Sequence, residues 1–275
     1  MAKKKEKTFK EIVEENSFSR RKPGNYVYYN NRFTDDESKS ILVPFSDVHY
    51  GNQYCKEKEF MDNLEWAYNK DNVILALNGD LVESKTRSRK GDGIFTQKNP
   101  QKQLEWVVDL FKPFADEGRI IGMTNGNHED AITLETGIDI TSIMANKLGV
   151  PYLKNGGFYT IKNGNQSYDF YMTHGSSGAT LPYTKSKACR DLSTFIEADA
   201  YLYGHVHAKE HATQEVYHID KRKKGVDTKQ LHFILTGHYL DYVNSYAQMK
   251  SMRPSGTGTP KIKMSGLEKQ IRVSL

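Results

Sequence analysis

The fold is decided by residues 73–80, which read VILALNGD. Five consecutive apolar residues are typical of a strand that is buried on both faces, as in a parallel sheet covered by helices. The run ends in a Gly-Asp turn, which puts the carboxylate of Asp80 just beyond the carboxyl end of the strand. Ligands of α/β proteins bind outside these strand ends. The stretch therefore predicts a strand and a candidate site residue together.

The same arrangement recurs at four other places along the chain. Short apolar runs precede the clusters SDVH at 46–49, NGNHE at 125–129, THG at 173–175 and GHVH at 204–207. Up to residue 207 these runs alternate with helical patterns, which indicates parallel strands joined by helical crossovers. Beyond it a period of two predicts an antiparallel meander. We expect one α/β domain over 41–275 and a basic N-terminal extension over 1–40.

The composition excludes several classes of protein. The chain of 275 residues has a mean hydropathy of −0.70 and contains no run of about 18 apolar residues, so neither membrane insertion nor secretion is expected. Its two cysteines, Cys55 and Cys189, are too few for a disulfide scaffold or a four-cysteine zinc module, and they fit a reducing cytoplasm.

The net charge of +5 is unevenly distributed. Residues 1–40, 84–102, 220–230 and 247–275 carry +16 in total, so the rest of the chain carries −11. Two interpretations fit this pattern. Clustered carboxylates that bind cations could be surrounded by basic surface that attracts phosphates, or the basic segments could serve only solubility.

The five clusters supply eight candidate metal ligands: Asp47, His49, Asp80, Asn127, His128, His174, His205 and His207. Carboxylates, an amide oxygen and imidazoles, without a thiolate, suit borderline-hard divalent ions. Eight ligands are more than one ion uses, which favours two ions that share a carboxylate and lie about 3.5–4 Å apart. His211, His218 and His232 lie on alternating strands and are expected at the surface. For His238, a structural role is favoured over one in the cleft.

The order D-x-H, G-D, G-N-H-E, H, G-H-x-H on successive strand ends resembles the motif series of the calcineurin-like metallophosphoesterase superfamily, from residue 42 to 207. The resemblance implies a four-layer α/β/β/α sandwich of mixed sheets flanked by helices. It also implies a hydrolase with two divalent ions, in which a hydroxide held between the ions attacks phosphorus in line. Mn²⁺ is the expected ion, with Fe, Zn, Mg, Ni or Co as alternatives.

Site roles also follow from the resemblance. It implies that the first ion is bound by Asp47, His49, Asp80 and His207, and the second by Asp80, Asn127, His174 and His205. His128 matches a family histidine that is not a ligand and assists at the reacting phosphate, and Glu129 is expected to orient it.

The substrate is the least determined part of the prediction. A phosphodiester in DNA, RNA or a nucleotide is favoured, because the loop with Lys85, Arg87, Arg89 and Lys90 follows Asp80 and would overhang the cleft. The Gly/Pro loop at 254–260 and the sequence PKIK at its end also resemble the tail of phosphoesterases often encoded by bacteriophages. The first alternative is a phosphomonoesterase acting on phosphoproteins or small nucleotides, although no arginine adjoins the motifs. The second is an inactive metal-binding interaction module, although all eight matched positions are filled.

Overall fold

The strands of the protein form two sheets, and helices connect most of the parallel pairs. The computed structural model describes residues 25–84, 99–176, 178, 181–221, 224–243, 245–249 and 253–275. The strands are β1 Tyr26–Asn31, β2 Lys39–Phe45, β3 Val73–Asn78, β4 Ile120–Thr124, β5 Gly156–Asn163, β6 Gln166–Thr173, β7 Ala200–Tyr203, β8 Lys209–Asp220, β9 Gly225–Thr236, β10 Lys261–Ser265 and β11 Ile271–Ser274. The helices are α1 Glu57–Tyr68, α2 Pro100–Glu117, α3 Asn127–Thr136, α4 Ile140–Leu148, α5 Pro182–Asp191, which continues into a 3₁₀ turn over Leu192–Thr194, and α6 Tyr246–Met249.

Both sheets are mixed. The five-stranded sheet has the order β11-β10-β2-β3-β4, in which β2, β3 and β4 run parallel and β10 pairs antiparallel with both of its neighbours. The six-stranded sheet has the order β1-β5-β6-β7-β9-β8, with antiparallel pairing at β5–β6 and β8–β9 and parallel pairing elsewhere. The predicted parallel core is present. Beyond residue 207 the antiparallel pairs β8–β9 and β10–β11 lie in different sheets and β9 pairs in parallel with β7, so these strands do not form one antiparallel meander.

The two sheets pack face to face and enclose one hydrophobic core. Side chains such as Leu42 and Ile74 from the five-stranded sheet meet Tyr159, Phe170 and Leu202 from the six-stranded sheet. Helices cover the outer faces. On one side α1, α2 and α4 bury the aromatic and aliphatic residues of β2 and β3, and on the other α5 packs on β7 and β9. These layers confirm the α/β/β/α sandwich that the motif series implied.

The N-terminal segment contributes a strand to the six-stranded sheet. The strand β1 pairs in parallel with β5, and the side chain of Asn31 donates to that of Asn163 at 3.0 Å. Tyr26 and Tyr28 are exposed while Val27 and Tyr29 face the sheet core, which is the alternation of a half-buried edge strand. The division of the chain at residue 40 stays a prediction.

Helix α3 starts within one of the strand-end motifs. It begins at Asn127, inside the G-N-H-E motif, and ends at Gly137, whose φ of 74° is the left-handed conformation that favours glycine. Helix α5 begins at Pro182, a position where proline loses no helical hydrogen bond. Among the described residues, no helix is long and apolar enough to cross a membrane.

Candidate metal centre

The strand-end clusters of both sheets meet at one edge of the sandwich. Parallel strands present their carboxyl ends at the same edge, so β2, β3 and β4 bring Asp47, His49, Asp80 and Asn127 together, and β6 and β7 bring His174, His205 and His207 to the same place. Three groups of these side chains have ligand atoms within 4.8 Å of one another. They are Asp47, His49 and His207; His49, Asp80 and His128; and Asp80, His174 and His205.

The backbone is unusual at five of these positions, where non-glycine residues adopt positive φ: Asp47 (51°), His49 (53°), Asp80 (48°), His205 (67°) and His207 (45°). Each such conformation costs of order 1–3 kcal/mol and persists only where the surroundings fix it. Backbone hydrogen bonds supply part of that support, from the N–H of Asp47 to the carbonyl of Gly79 (3.1 Å) and from that of His49 to the carbonyl of Asp80 (3.0 Å). The strained residues are the ones whose side chains converge.

In the first group, lone pairs face one another. The Nδ1 of His49 lies 3.1 Å from a carboxylate oxygen of Glu83, which assigns the ring proton to Nδ1 and leaves a lone pair on Nε2. That Nε2 is 3.1 Å from the Nε2 of His207, which is in turn 3.3 Å from Oδ1 of Asp47. Acceptor atoms that converge at these distances need a cation or a proton between them.

The group of Asp80, His174 and His205 has the same character. His174 lies with its Nδ1 2.8 Å from the carbonyl oxygen of Asn78, so the proton is on that nitrogen. Its Nε2 faces Oδ2 of Asp80 at 3.1 Å and Oδ1 of Asn127 at 3.3 Å. The same oxygen of Asn127 is 2.6 Å from Nδ1 of His205. Amide, carboxylate and imidazole acceptors therefore surround a second position that a metal ion could occupy.

One oxygen atom of Asp80 connects the group that contains His174 with the group that contains His49. Its Oδ2, which is 3.1 Å from His174, is also 3.9 Å from Nε2 of His49. The other oxygen, Oδ1, accepts the backbone N–H of His128 at 2.9 Å. One carboxylate oxygen is thus placed to be shared between two ions.

The donor set fits divalent ions by its chemistry. It consists of buried carboxylates, imidazoles and one amide oxygen, the ligands that borderline-hard metals prefer. Burial lowers the pKa of His174, but the carboxylates of Asp80 and Asp47 outweigh this effect and raise that pKa to about 10. A metal ion would take the place of the proton that His174 otherwise holds, so metal binding should release protons.

Two buried glutamates hold the ligand loops. Burial raises the pKa of Glu83, but its hydrogen bond to His49 and the rings of His128 and His49 outweigh this and lower it to about 2. Glu129 accepts the backbone N–H groups of Asp80 (2.9 Å), Leu81 (2.8 Å) and Val82 (3.2 Å). Glu129 therefore shapes the turn at Asp80, rather than orienting His128 as expected from the sequence.

His128 is fixed by the backbone instead. Its Nδ1 lies 2.8 Å from the carbonyl oxygen of Glu83, so Nε2 is the nitrogen that is left to face a bound molecule. Burial disfavours the charged ring, but the carboxylates of Asp80 and Glu83 outweigh burial and raise the pKa of His128. A positively charged ring at this place can donate a proton.

Two glycines are required by the close approach of the loops. A Cβ on Gly126 would lie 2.1 Å from the backbone nitrogen of Asp80 and 2.2 Å from its Oδ1. A Cβ on Gly204 would lie 2.6 Å from Oγ of Ser46, the hydroxyl that donates to Asp47. At both positions the absence of a Cβ lets two motifs pack closely against each other.

The remaining candidates have different outcomes. Lys85, Arg87, Arg89 and Lys90 lie outside the described residues. His238 stacks on His207, and His218 is exposed as predicted. The expectation of a surface position was wrong for His232, which is buried and stacks on His211 with ring centroids 5.3 Å apart. An alternation of polar and apolar residues shows which residues share one face of a strand. It does not show whether another part of the chain covers that face, as it does at His232.

Two cavities differ in their relation to the centre. A cleft of about 320 Å³ adjoins the group of Asp80, His174 and His205, and its lining includes Asn125, Asn155, His174 and Ser176. A larger cavity of about 1210 Å³ lies around Asp199, at the amino end of β7, and is lined by none of the candidate ligands. The candidate metal centre therefore adjoins the smaller of these two cavities.

Comparison with known proteins identifies the class. The sequence model of the calcineurin-like phosphoesterase family matches residues 42–209, so the chain belongs to that family. This confirms the resemblance of the motif series, and it makes the protein a member of a family of metal-dependent phosphoesterases. The assignment of individual residues as ligands stays a prediction.

Similar solved structures add little beyond the family. A predicted phosphoesterase from Streptococcus pneumoniae is 15% identical, with a TM-score of 0.35 over 86% of this chain and 88% of that one. Vps29 from Chaetomium thermophilum is 8% identical (TM-score 0.37; 86% and 94% covered), and the calcineurin-like phosphoesterase YfkN from Bacillus subtilis is 10% identical (TM-score 0.30; 60% and 61% covered). No curated protein matches the sequence.

Proposed function

We propose that the protein is a phosphodiesterase that uses two divalent ions, of which Mn²⁺ is the expected one, to cleave a phosphodiester in nucleic acid or a nucleotide. The observation that carries the proposal is Oδ2 of Asp80, which faces both His49 and His174 and so joins two groups of buried acceptors. Membership of the calcineurin-like phosphoesterase family supports the reaction class. The small number of cysteines, two in 275 residues, supports a cytoplasmic location.

The ligand set divides between the two groups. Asp47, His49 and His207 would hold one ion, Asn127, His174 and His205 the other, and Asp80 both. Bound ions would supply Lewis acidity, which activates water and neutralises charge on the phosphate oxygens. The protein itself fixes the ligand geometry, through Glu83 at His49 and through the carbonyl of Asn78 at His174.

His128 is the proposed general acid. The carbonyl of Glu83 holds its Nδ1–H, so Nε2 can donate a proton to the leaving oxygen as the ester bond breaks. The side chain is partly exposed, at 17%, while the ligands beside it, His49 and Asp80, are each 2% exposed. The candidate ligand His207 is exposed to the same extent, so the exposure shows that a substrate can reach His128 without setting it apart from the ligands.

A diester is favoured over a monoester for two reasons. The cleft of about 320 Å³ beside His174 has room for a nucleoside on one side of the phosphate, with amide and hydroxyl groups to hydrogen-bond it. Arg119 is buried at the other end of the strands, where its guanidinium donates to the carbonyls of Val73 and Ala67 at 2.8 Å each. It therefore cannot grip a terminal phosphate group at this site.

The test is a panel of substrates with Mn²⁺: bis(p-nitrophenyl) phosphate, p-nitrophenyl phosphate, single- and double-stranded DNA, RNA, cyclic nucleotides and a phosphopeptide. We expect kcat/KM for the diester to exceed that for the monoester by about tenfold or more, and His128→Ala to lower kcat by about 10²–10⁴. A preference for the monoester or the phosphopeptide would establish the phosphomonoesterase instead. Hydrolysis of no member of the panel would support the inactive interaction module.

A further inference from the structure

The outer face of the six-stranded sheet carries exposed aromatic side chains near its β1 edge. Helix α5 covers β7 and β9, whereas alternate side chains of β1, β5 and β6 point away from the inter-sheet core. Among these outward side chains, Tyr26 and Tyr28 of β1 are 59% and 57% exposed. Two large rings on one open face are a candidate contact surface.

Three outward aromatic residues lie in one row across neighbouring strands. Tyr26 on β1 pairs with Phe158 on β5, and Phe158 pairs with Tyr171 on β6. The rings of Phe158 and Tyr171 meet edge to face, with centroids 5.0 Å apart. Because adjacent strands are about 4.8 Å apart, the row is continuous, and Tyr28 extends it along the edge strand. We call these four residues the aromatic strip.

The aromatic strip reaches the cleft of about 320 Å³ beside the metal centre. Thr173 lines that cleft together with His174, and it lies two residues beyond Tyr171 on the same face of β6. Asn155, which also lines the cleft, directly precedes β5. Two residues of a strand span about 7 Å. A polymer that is bound at the metal centre can therefore continue onto the aromatic strip.

A cavity of about 300 Å³ opens on the aromatic strip. Its lining includes Tyr26 and Phe158 together with the acidic residues Asp169 and Glu197. Among the described residues that line it, none is cationic, so the cavity does not suit a phosphate group. Aromatic rings bind the face of a nucleobase, and carboxylates accept hydrogen bonds from exocyclic amino groups such as N4 of cytosine. The cavity therefore suits a base.

Two lysines place positive charge at the ends of the row. Lys154 is exposed and lies two residues before β5, next to Asn155 of the cleft. Lys162 is partly exposed and points outward on β5, four residues beyond Phe158. Aromatic rings for the bases, with cations beside them for the backbone, are the usual combination in proteins that bind single-stranded nucleic acid.

We propose that the aromatic strip binds bases of a single-stranded nucleic acid whose backbone passes the metal centre. This substrate class rests on the proposed phosphodiesterase function and narrows it to a single strand. Bases inside a duplex are stacked on their neighbours and cannot lay their faces on these rings. A protein partner would account for the exposed rings, but not for their continuity with the cleft of a phosphodiesterase.

Binding to the metal-free protein tests the aromatic strip without relying on activity. The probe is a fluorescein-labelled oligodeoxycytidine of about 12 nucleotides, measured by fluorescence anisotropy. We expect Tyr26→Ala and Tyr28→Ala each to weaken binding about tenfold, as the loss of one stacked base would. Tyr26→Phe keeps the ring and should restore the wild-type affinity. Tyr217→Ala is the matched control, because Tyr217 is 76% exposed at the opposite edge of the same sheet.

A second readout connects the aromatic strip with the metal centre. With Mn²⁺, we compare kcat/KM for the oligonucleotide with that for methyl p-nitrophenyl phosphate, a small diester that carries no base. Tyr26→Ala should lower the ratio of the two values about tenfold, because only the oligonucleotide reaches the ring. The Tyr217→Ala control should keep the wild-type ratio.

The outcomes separate this inference from the proposed function. If Tyr26→Ala binds the oligonucleotide as the wild type does, or if duplex DNA of the same length binds more tightly than the single strand, the inference is wrong and the phosphodiesterase stands. If Tyr26→Ala instead converts a dimer into a monomer and leaves DNA binding unchanged, the face is an interface between copies of the chain. If no diester is cleaved, the phosphodiesterase proposal fails, and ring-dependent binding would still support a single-strand site.

Discussion

At the scale of single residues, the centre depends on which nitrogen of each histidine carries the proton. Glu83 decides this for His49, because its carboxylate accepts a hydrogen bond from the Nδ1–H at 3.1 Å, which leaves the lone pair of Nε2 towards His207 and Asp80. The carbonyl of Asn78 does the same for His174. A residue that binds no metal can therefore control metal affinity.

Substitution of Glu83 tests this dependence. Glu83→Gln keeps the shape of the side chain but removes the charge that favours the Nδ1–H tautomer of His49. We expect Mn²⁺ affinity, measured by isothermal titration calorimetry, to fall about 10–100-fold with an unchanged circular dichroism spectrum. Glu65→Gln, on the exposed face of α1, is the control and should bind as the wild type does. Equal affinity of both variants would show that Glu83 does not orient its neighbour.

The convergence of the candidate ligands could be predicted from the sequence, because each follows an apolar run directly and the rule for strand ends then brings them together. Glu83 could not be ranked in the same way. Its effect comes from a contact with His49, which is 34 residues away, and nothing local distinguishes it from a loop glutamate.

At the scale of elements, the turn that enters α3 brings two motifs into contact. Gly126 lies directly before the helix, and the space where its Cβ would be is filled by Asp80 and a carboxylate oxygen of Glu129. The helix that begins at the next residue could not be predicted from the sequence, since N-H-E resembles a polar loop. The turn after β3 meets the start of α3 because β3 and β4 pair in parallel, which places the segments that follow them side by side.

Gly126→Ala adds only a methyl group, but we expect it to disrupt the metal centre. Its φ of −109° is open to alanine, so any effect comes from the clash at Asp80 rather than from backbone conformation. We expect Mn²⁺ binding to be lost and the free energy of unfolding to fall by about 1–3 kcal/mol, measured by urea denaturation. Gly256→Ala, where nothing lies within 4 Å, should change neither. Normal Mn²⁺ binding by Gly126→Ala would contradict the close approach.

The hairpin formed by β8 and β9 carries a pH-dependent contribution to stability. Burial and the adjacent His211 lower the pKa of His232 to about 4. An unfolded histidine titrates near 6.5, so between about pH 6.5 and pH 4 the unfolded state binds more protons, and stability falls as the pH falls. His232→Gln should remove this part of the loss.

Urea unfolding of the metal-free protein at about pH 7 and about pH 5 measures the effect. The wild type should lose more stability between these two pH values than His232→Gln does. His218→Gln, on the same hairpin but exposed, should lose as much as the wild type. An identical loss in all three proteins would mean that His232 is not held neutral in the folded state.

At the scale of the whole molecule, the inter-sheet core holds the two halves of the centre together. The five-stranded sheet carries Asp47, His49, Asp80 and Asn127, and the six-stranded sheet carries His174, His205 and His207. The layer order was predictable from the motif series. The place of β1 at the edge of the six-stranded sheet was not, since six alternating residues give only a weak signal.

Phe170→Ala tests the inter-sheet core. Phe170 is 1% exposed on β6, and its removal should lower the free energy of unfolding by about 3–5 kcal/mol. Ile219→Ala, which changes a side chain that is 75% exposed on β8, should stay within about 0.5 kcal/mol of the wild type. A small effect at Phe170 would show that the sheets are not held by this contact.

The sharing of Asp80 between two ions is tested most directly by the number and the magnetic coupling of bound Mn²⁺ ions. Electron paramagnetic resonance, combined with metal analysis of the purified protein, should find two Mn²⁺ per chain with spins coupled through a common ligand. Asp80→Ala should lose the coupling and bind fewer ions, whereas Asp71→Ala, at an exposed turn, should match the wild type. One ion per chain, or two ions that are magnetically independent in the wild type, would contradict a shared Asp80.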